Sequence, residues 1–284
     1  MPHSIPWRAI GIMAVSMSLI PAGDAMGKLM MAHYGVEPFF IAWARFVVGS
    51  LALLPFLNTR NLHLNALKDW RILMRGALIG ATVACILTGA KTEGLANVFG
   101  AFFVGPILSY FLSAFFLGEP IRPAQTMLLF VGFTGVLLVV KPGFGMTPGI
   151  AFAALAGIGY GIFLTTGRWL ANAAPPMTLL FAQLITAAIV LTPIGLPAIP
   201  SLGGWMPLLL LCSGLFSMLG NFLLLFAYRD VEATRLAPFV YLQLVAATAL
   251  GLVFFGDIPD ALTMAGLLLL VGSGFGSLAL KRRA

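Results

Sequence analysis

Two ionisable side chains near the start of the sequence, Asp24 and Lys28, lie four positions apart inside a long apolar run. This spacing places both on one face of a helix. Ionisable groups are expensive to bury in a bilayer, so Asp24 is a candidate for substrate binding and for proton coupling. The alternative is a mutually neutralised pair in which Lys28 extends to the membrane surface.

Arg45 lies inside a second apolar run. We expect a structural role for it, because a long arginine near a helix end can reach the interface or pair with backbone carbonyls or a neighbouring carboxylate. Substrate contact is the less favoured alternative.

Polar residues recur every four positions along a later apolar run, at Ser213, Ser217 and Asn221, and Tyr228 continues roughly on the same face. Such a stripe either holds helices together or faces a water-filled cavity. The sequence leaves both possibilities open, and Ser217 and Asn221 are therefore candidate substrate contacts.

Five further residues are candidates for lining a binding chamber: Phe103, Tyr160, Phe163, Tyr241 and Gln243. Binding pockets combine apolar walls with a few polar groups, which this set would supply. The competing interpretation is that each aromatic residue belongs to the core or faces lipid.

The composition excludes a soluble domain: 60% of residues are hydrophobic, 9% are charged and the mean hydropathy is +1.03. The net charge of +7 does not indicate nucleic-acid binding, because basic residues cluster only at the last few positions. Two cysteines and three histidines show no ligand spacing, so we predict no metal, no cofactor and no enzymatic activity.

A span requires about 20 apolar residues, and the sequence predicts an all-α membrane protein with ten of them. The predicted spans are 8–30, 37–57, 72–91, 94–117, 123–141, 147–168, 176–195, 206–227, 233–255 and 261–280.

The two halves of the chain repeat each other. Gly118-Glu119 in the first half corresponds to Gly256-Asp257 in the second. Phe103 and Tyr241 are separated by the same number of positions, which we call the repeat offset. We therefore predict two five-helix repeats, 1–141 and 142–284. Five spans per half would invert the second repeat in the membrane, an arrangement typical of transporters that open alternately to either side.

Lysine and arginine are enriched on the cytoplasmic side of membrane proteins. With both termini inside, twelve of these residues fall on the inner side and three, Lys28, Lys91 and Lys141, on the outer side. We therefore expect both termini to be cytoplasmic.

The sequence resembles the ten-helix, EamA-type members of the drug/metabolite transporter superfamily. The resemblance rests on Gly118-Glu119-Pro120, on Gly256-Asp257-Ile258-Pro259-Asp260, on the glycines that follow each, and on the stretch 38–45. It implies a central cavity lined by helices one, three, four, six, eight and nine. It is closest to bacterial exporters of amino acids and related metabolites.

We accordingly predict an inner-membrane carrier that exports small metabolites, amino acids first among them, by alternating access. Its partners would be a small-molecule substrate and the bilayer, without nucleic acid. Proton coupling through Asp24 and facilitated diffusion are both open. The alternatives are import or export of a nucleobase, vitamin, nucleotide sugar or drug, and a structural membrane subunit.

Overall fold

The computed structural model describes residues 7–57, 64–119, 121, 123–142, 145–170, 172–230 and 237–281. Within these ranges the chain forms helices and no strand. The α-helices are α1 (Trp7–Tyr34), α2 (Pro38–Leu53), α3 (Trp70–Thr92), α4 (Leu95–Phe102), α5 (Val104–Leu117), α6 (Pro123–Val140), α7 (Pro148–Trp169), α8 (Pro176–Gly195), α9 (Met206–Asp230), α10 (Leu242–Phe255) and α11 (Ala261–Lys281). Short 3-10 turns cover Leu54–Phe56, Leu64–Lys68, Leu196–Ala198 and Ala237–Tyr241.

Several of these segments have the length and composition needed to cross a bilayer. Three shorter apolar helices, Thr126–Val140, Phe239–Phe255 and Ala261–Gly276, coincide with the predicted spans 123–141, 233–255 and 261–280. The described part of the chain is therefore a multi-pass, all-helical membrane protein. The seven long segments are Ile10–Tyr34, Pro38–Phe56, Trp70–Thr92, Leu95–Leu117, Pro148–Trp169, Pro176–Ala198 and Met206–Leu224.

The predicted span 94–117 is not one continuous helix. It is divided at Phe103, whose φ of −68° and ψ of 0° separate α4 from α5. Pro106 gives the physical reason: a proline has no N–H, so it cannot donate to the carbonyl of Phe102 one turn earlier. The chain therefore restarts at α5, with Pro106 in the first turn, where a missing donor is tolerated.

Two glycines terminate helices in the same manner. Gly118 ends α5 with φ 66° and Gly256 ends α10 with φ 67°. This left-handed conformation is open to glycine because glycine has no Cβ. The repeated Gly-Glu and Gly-Asp pairs of the sequence are thus equivalent helix stops.

Small residues bring the helices into close contact. Ser16 of α1 donates a hydrogen bond to the carbonyl of Gly220 on α9 at 2.7 Å. A Cβ at Gly76 of α3 would lie 2.6 Å from Thr186 of α8. Lipid tails are as apolar as the side chains, so membrane helices associate through such close packing and through hydrogen bonds between helices.

Candidate functional site

Five aromatic side chains form a continuous row between α4, α7 and α10, and we call them the aromatic row. The ring centroids of Phe103 and Tyr241 are 5.0 Å apart. Phe102 lies 6.5 Å from Phe103 and 4.7 Å from Tyr160. Tyr160 and Phe163, which lie almost one turn apart on α7, stack at 5.9 Å. Four of the predicted lining residues therefore lie together, and Phe102 joins them.

The break in the fourth apolar run explains how the row is built. Phe103 is the residue immediately before α5, and Tyr241 is the residue immediately before α10. Both therefore stand where a helix begins, separated along the chain by the repeat offset. The two rings are in direct contact, so no open space lies between these two side chains in this structure.

Arg75 of α3 continues the aromatic row. In the sequence it was counted only as one of the basic residues expected on the cytoplasmic side. Its guanidinium carbon lies 4.0 Å from the ring centroid of Phe163, a cation–π contact. Its Nη1 donates to Oε1 of Gln183 on α8 at 2.8 Å. Its Nε is buried without a hydrogen-bond partner. Its position inside the first turns of α3 was the sequence signal that could have identified it.

Asp24 lies in a second group of polar residues, between α1, α2 and α9. Its Oδ1 is 2.7 Å from Nη2 of Arg45, and both side chains are nearly inaccessible, at 4% and 3% exposure. Arg45 Nε also donates to Oγ of Ser213 at 3.4 Å, and Ser213 donates to the carbonyl of Gly23 at 2.8 Å. The carboxylate expected for Arg45 is therefore Asp24, and Asp24 is not paired with Lys28.

The polar stripe of α9 lies against α1. A Cβ at Gly23 would lie 2.9 Å from the carbonyl oxygen of Ser213 and 3.3 Å from the backbone nitrogen of Ser217. Asn221 donates through Nδ2 to the carbonyl of Ser217 at 2.8 Å. Ser213 thus joins two helices, and Asn221 is bound within its own helix. The side chain of Tyr228 lies outside the described residues.

Gln243, the remaining predicted lining residue, is buried in the first turn of α10, two positions after Tyr241. Apart from Gln243, the predicted residues fall into two groups. Phe103, Tyr160, Phe163 and Tyr241 belong to the aromatic row, whereas Asp24 lies on α1 and Ser217 and Asn221 lie on the neighbouring α9.

One end of the bundle, which we call the Lys28 end, is closed by charged contacts. Lys28 Nζ is 2.8 Å from Oδ2 of Asp257 and 2.7 Å from the carbonyl oxygen of Glu93. It also lies 4.6 Å from the ring centroid of Phe255. The same end contains the pairs Lys91–Glu37 and Lys141–Asp260 and a hydrogen bond from Thr147 to Glu93.

Asp260 remains an anion at the Lys28 end. A hydrogen bond from Lys141, helped by the backbone N–H of Thr263, lowers the pKa of Asp260 to about 2. The Asp260 carboxylate therefore stays negatively charged at neutral and mildly acidic pH.

The opposite end, which we call the Arg168 end, has a contact of the same kind. Arg168 Nη1 lies 3.3 Å from Oε2 of Glu119 and donates to Oγ of Ser113 at 2.7 Å. Glu119 follows Gly118 just as Asp257 follows Gly256. The glycines that end α5 and α10 are thus each followed by an acid, which pairs with a basic residue of α7 or α1 respectively.

A model of the EamA-like transporter family matches the chain twice, over residues 8–141 and 147–278. The chain belongs to the EamA-like transporter family. The resemblance seen in the sequence is confirmed, and membership indicates a transporter rather than an enzyme. The double match covers most of each predicted repeat.

Several relatives of this EamA-like chain have names that state a solute. An S-adenosylmethionine uptake transporter of Rickettsia felis is 26% identical over 92% of this chain and 89% of its own length. The pseudopaline exporter CntI of Pseudomonas aeruginosa is 28% identical over 81% of this chain and 82% of its own. A riboflavin transporter of Rhizobium johnstonii is 28% identical over 78% and 74%.

A solved crystal structure shares the fold of this EamA-like chain. It aligns with a TM-score of 0.62 at 20% sequence identity and covers 94% of this chain and 98% of the solved one. At this identity the similarity establishes the fold alone.

Proposed function

We propose that the chain is a ten-span carrier of the bacterial inner membrane that exports amino acids and related metabolites by alternating access. In this proposal the repeats 1–141 and 142–284 are inverted relative to each other, and both termini are cytoplasmic. The observation that carries it is the pair of charged contacts at opposite ends of the bundle, Lys28–Asp257 and Arg168–Glu119. A carrier of this class needs one closure at each end, and inverted repeats supply two equivalent ones.

The two contacts differ in tightness. Lys28 and Asp257 are 2.8 Å apart with side chains 13% and 32% exposed, whereas Arg168 and Glu119 are 3.3 Å apart with 49% and 47% exposed. This difference supports a state in which the Lys28 end is closed and the Arg168 end is nearer to opening. The distribution of basic residues would make the Arg168 end the cytoplasmic one.

In the proposed carrier, the aromatic row forms one wall of the chamber, with Tyr160 and Tyr241 adding hydroxyl groups. An apolar wall with few polar groups accepts side chains of different shape, so we expect several metabolites to be carried. Asp24 would serve as the proton site, because protonating its carboxylate would weaken its hold on Arg45. Facilitated diffusion without protons is the alternative.

Transport itself is tested by loading proteoliposomes with a panel of amino acids and following release with and without a pH gradient. We expect release faster than from protein-free liposomes for at least one amino acid. If Asp24 couples protons, Asp24→Asn will abolish the response to the gradient. The absence of flux for every amino acid would overturn the substrate assignment.

The two closures are tested by disulfide cross-linking. Cys85 and Cys212 are the only cysteines in the sequence and can be replaced by alanine. Cysteines introduced at Lys28 and Asp257, or at Arg168 and Glu119, and joined by a bifunctional thiol reagent that forms cleavable disulfides across the longer gap, should stop transport, and reduction should restore it. Cysteines at Asp69 and Arg71, a local pair, are the matched control. Continued transport with the Lys28 end cross-linked would contradict alternating access.

A second candidate function is uptake of S-adenosylmethionine. Four relatives from Rickettsia species carry that name, and their matches cover 92%, 95%, 92% and 95% of this chain. The molecule combines an amino-acid group with a flat adenine ring, which suits an aromatic wall. Accumulation of labelled S-adenosylmethionine in expressing cells, compared with cells carrying an empty vector, would favour uptake over export.

A further inference from the structure

The ammonium group of Lys28 is enclosed by three groups from other parts of the chain. Its Nζ donates to Oδ2 of Asp257 at 2.8 Å and to the carbonyl oxygen of Glu93 at 2.7 Å. The ring centroid of Phe255 lies 4.6 Å from the same nitrogen, a cation–π contact. We call the Asp257 carboxylate, the Glu93 carbonyl and the Phe255 ring the ammonium cage. It offers two oxygen acceptors, one negative charge and a π face to a group with three donors and one positive charge.

The oxygen acceptors of the cage are held without the help of α1, the helix from which the ammonium group comes. Asp257 follows the end of α10, and its backbone N–H donates to the carbonyl of Gly251 at 3.1 Å. Glu93 follows α3, and its backbone N–H donates to the carbonyl of Gly89 at 3.1 Å. A Cβ at Gly94 would lie 3.2 Å from Oδ2 of Asp257, so the two segments are in direct contact. The acceptors therefore keep their places when α1 moves away.

Withdrawal of Lys28 leaves a carboxylate without its cation. Among the described residues, Lys28 is the one basic side chain within 4.0 Å of Asp257. The side chains of Lys28 and Asp257 are 13% and 32% exposed, so the pair is shielded from much of the solvent. A shielded charge is costly once its partner is removed. Another cation that reaches the cage when this end opens is therefore stabilised there.

We propose that the ammonium cage is a binding site for a primary ammonium group, filled by Lys28 when this end is closed and by the ammonium of a departing amino acid when it is open. The part in transport rests on the proposed function, in which the Lys28 end opens outward. Lys28 then acts as a tethered substitute for the ammonium group of the substrate. Because one ammonium replaces another, Asp257 has a cationic partner in both states.

The cage suits a primary ammonium group better than other organic cations. A guanidinium presents a planar fork of donors that matches both oxygens of one carboxylate. The contact of Arg71 with Asp69, in which Nε and Nη2 both donate to the carboxylate, is of that kind. A quaternary ammonium has no N–H and leaves both oxygens of the cage without donors. A primary ammonium is a compact charge with three donors and reaches both oxygens and the ring together.

The test removes the side chain of Lys28 and offers the missing atoms in solution. Lys28→Ala deletes a fragment equivalent to n-propylammonium. The purified full-length variant is titrated with n-propylammonium chloride in detergent, and its melting temperature is compared with that in sodium or potassium chloride at the same ionic strength. We expect a rise of about 3–6 °C at about ten times the Kd. 1-Propanol, which lacks the charge, and tetramethylammonium, which lacks N–H donors, should give little of this rise.

Two further variants locate the effect. Lys28→Ala combined with Asp257→Asn removes the carboxylate of the cage and should abolish the response to n-propylammonium. Lys91→Ala is the matched control, because Lys91 also pairs with a carboxylate, that of Glu37, but with side chains 45% and 57% exposed. It should show no response, since a solvent-screened carboxylate holds an ammonium group only weakly.

The part in transport is measured with proteoliposomes that contain the unmodified chain. They are loaded with L-phenylalanine or 3-phenylpropionate, and with L-leucine or 4-methylpentanoate, pairs that differ only by the ammonium group. We expect faster release of the amino acid in at least one pair. Phe255→Leu should reduce that preference by about two- to fivefold, the loss of a partly exposed cation–π contact. Phe115→Leu, which replaces a ring that is 82% exposed, is the control and should leave the preference unchanged.

The outcomes separate this inference from the proposed function. The ammonium cage is overturned, and the carrier stands, if n-propylammonium gives no rise, if potassium chloride or 1-propanol gives an equal one, or if the rise survives Asp257→Asn. If Lys28→Ala fails to fold, the effect of Phe255→Leu on the preference decides. Equal release within both pairs overturns the part in transport. If the cage binds n-propylammonium but the unmodified chain moves no amino acid, the binding site stands and the proposed function fails.

Discussion

Two arginines of the first half of the chain, Arg45 of α2 and Arg75 of α3, make equivalent contacts with the second half. Arg45 precedes Gln183 by the repeat offset, and Arg75 precedes Ser213 by the same offset. Arg45 donates to Ser213, and Arg75 donates to Gln183. Each arginine therefore donates to the repeat equivalent of the other arginine: Ser213 is equivalent to Arg75, and Gln183 to Arg45. The two contacts are thus two copies of one arrangement.

The difference between the two places is an acid. Asp24 of α1 neutralises Arg45, but the position equivalent to Asp24 on α7 is Ile162, whose side chain is exposed. Arg75 meets the ring of Phe163 in its place. Of these two equivalent contacts, one therefore lies beside a carboxylate and the other beside an aromatic ring. The same pair of side-chain positions can thus be balanced by charge on one side of the repeat and by an aromatic ring on the other.

The largest expected effect is at the paired arginine. Asp24→Asn leaves Arg45 as an uncompensated buried charge and should lower the free energy of unfolding by about 3–5 kcal/mol, measured by denaturation in detergent micelles. Asp69→Asn is the control and should cost far less, because it weakens a solvent-screened pair and keeps a capping side chain before α3. Equal costs for the two substitutions would show that burial does not distinguish the Asp24 pair.

A smaller effect is expected where Arg75 meets the aromatic row. A double-mutant cycle of Phe163→Leu with Arg75→Gln should give a coupling energy of about 0.5–2 kcal/mol, the range for a cation–π contact. Phe115→Leu replaces a ring that is 82% exposed and should show no coupling to Arg75. A coupling of zero at Phe163 would mean that its ring does not hold the guanidinium.

The smallest effect is expected for the unpaired arginine alone. Arg75→Gln should change the free energy of unfolding by no more than about 1 kcal/mol in either direction, because the lost contacts are offset by the relief of a buried charge. Arg45→Gln, measured in the same micelles, should be destabilising by several times as much, since it strands Asp24. If the two substitutions cost the same, Arg75 has a structural role equal to that of Arg45.

Much of the fold follows from local sequence. Apolar run length predicts the spans, and Gly118 and Gly256 predict where α5 and α10 end, because only glycine takes the left-handed conformation easily. The repeat offset relates Phe103 to Tyr241, whose rings are in contact. These features depend on neighbours along the chain or on the repeat.

The sequence alone did not predict which charged residues pair across the helix bundle. Local spacing paired Asp24 with Lys28, yet the first lies beside Arg45 and the second beside Asp257, in the other half of the chain. From the sequence, Arg75 was one of several basic residues near the ends of predicted spans. Its contacts with Phe163 and Gln183 depend on how α3, α7 and α8 pack, which a single sequence does not predict.

The interruption of the chain at Phe103 also limits which residues can stand across from it. The carbonyl of Phe102, which Pro106 cannot engage, points at α7, where a Cβ at Gly157 would lie 2.5 Å from its oxygen. Even alanine is therefore too large at position 157. A side chain there would have to push α7 away from the chain break at Phe103.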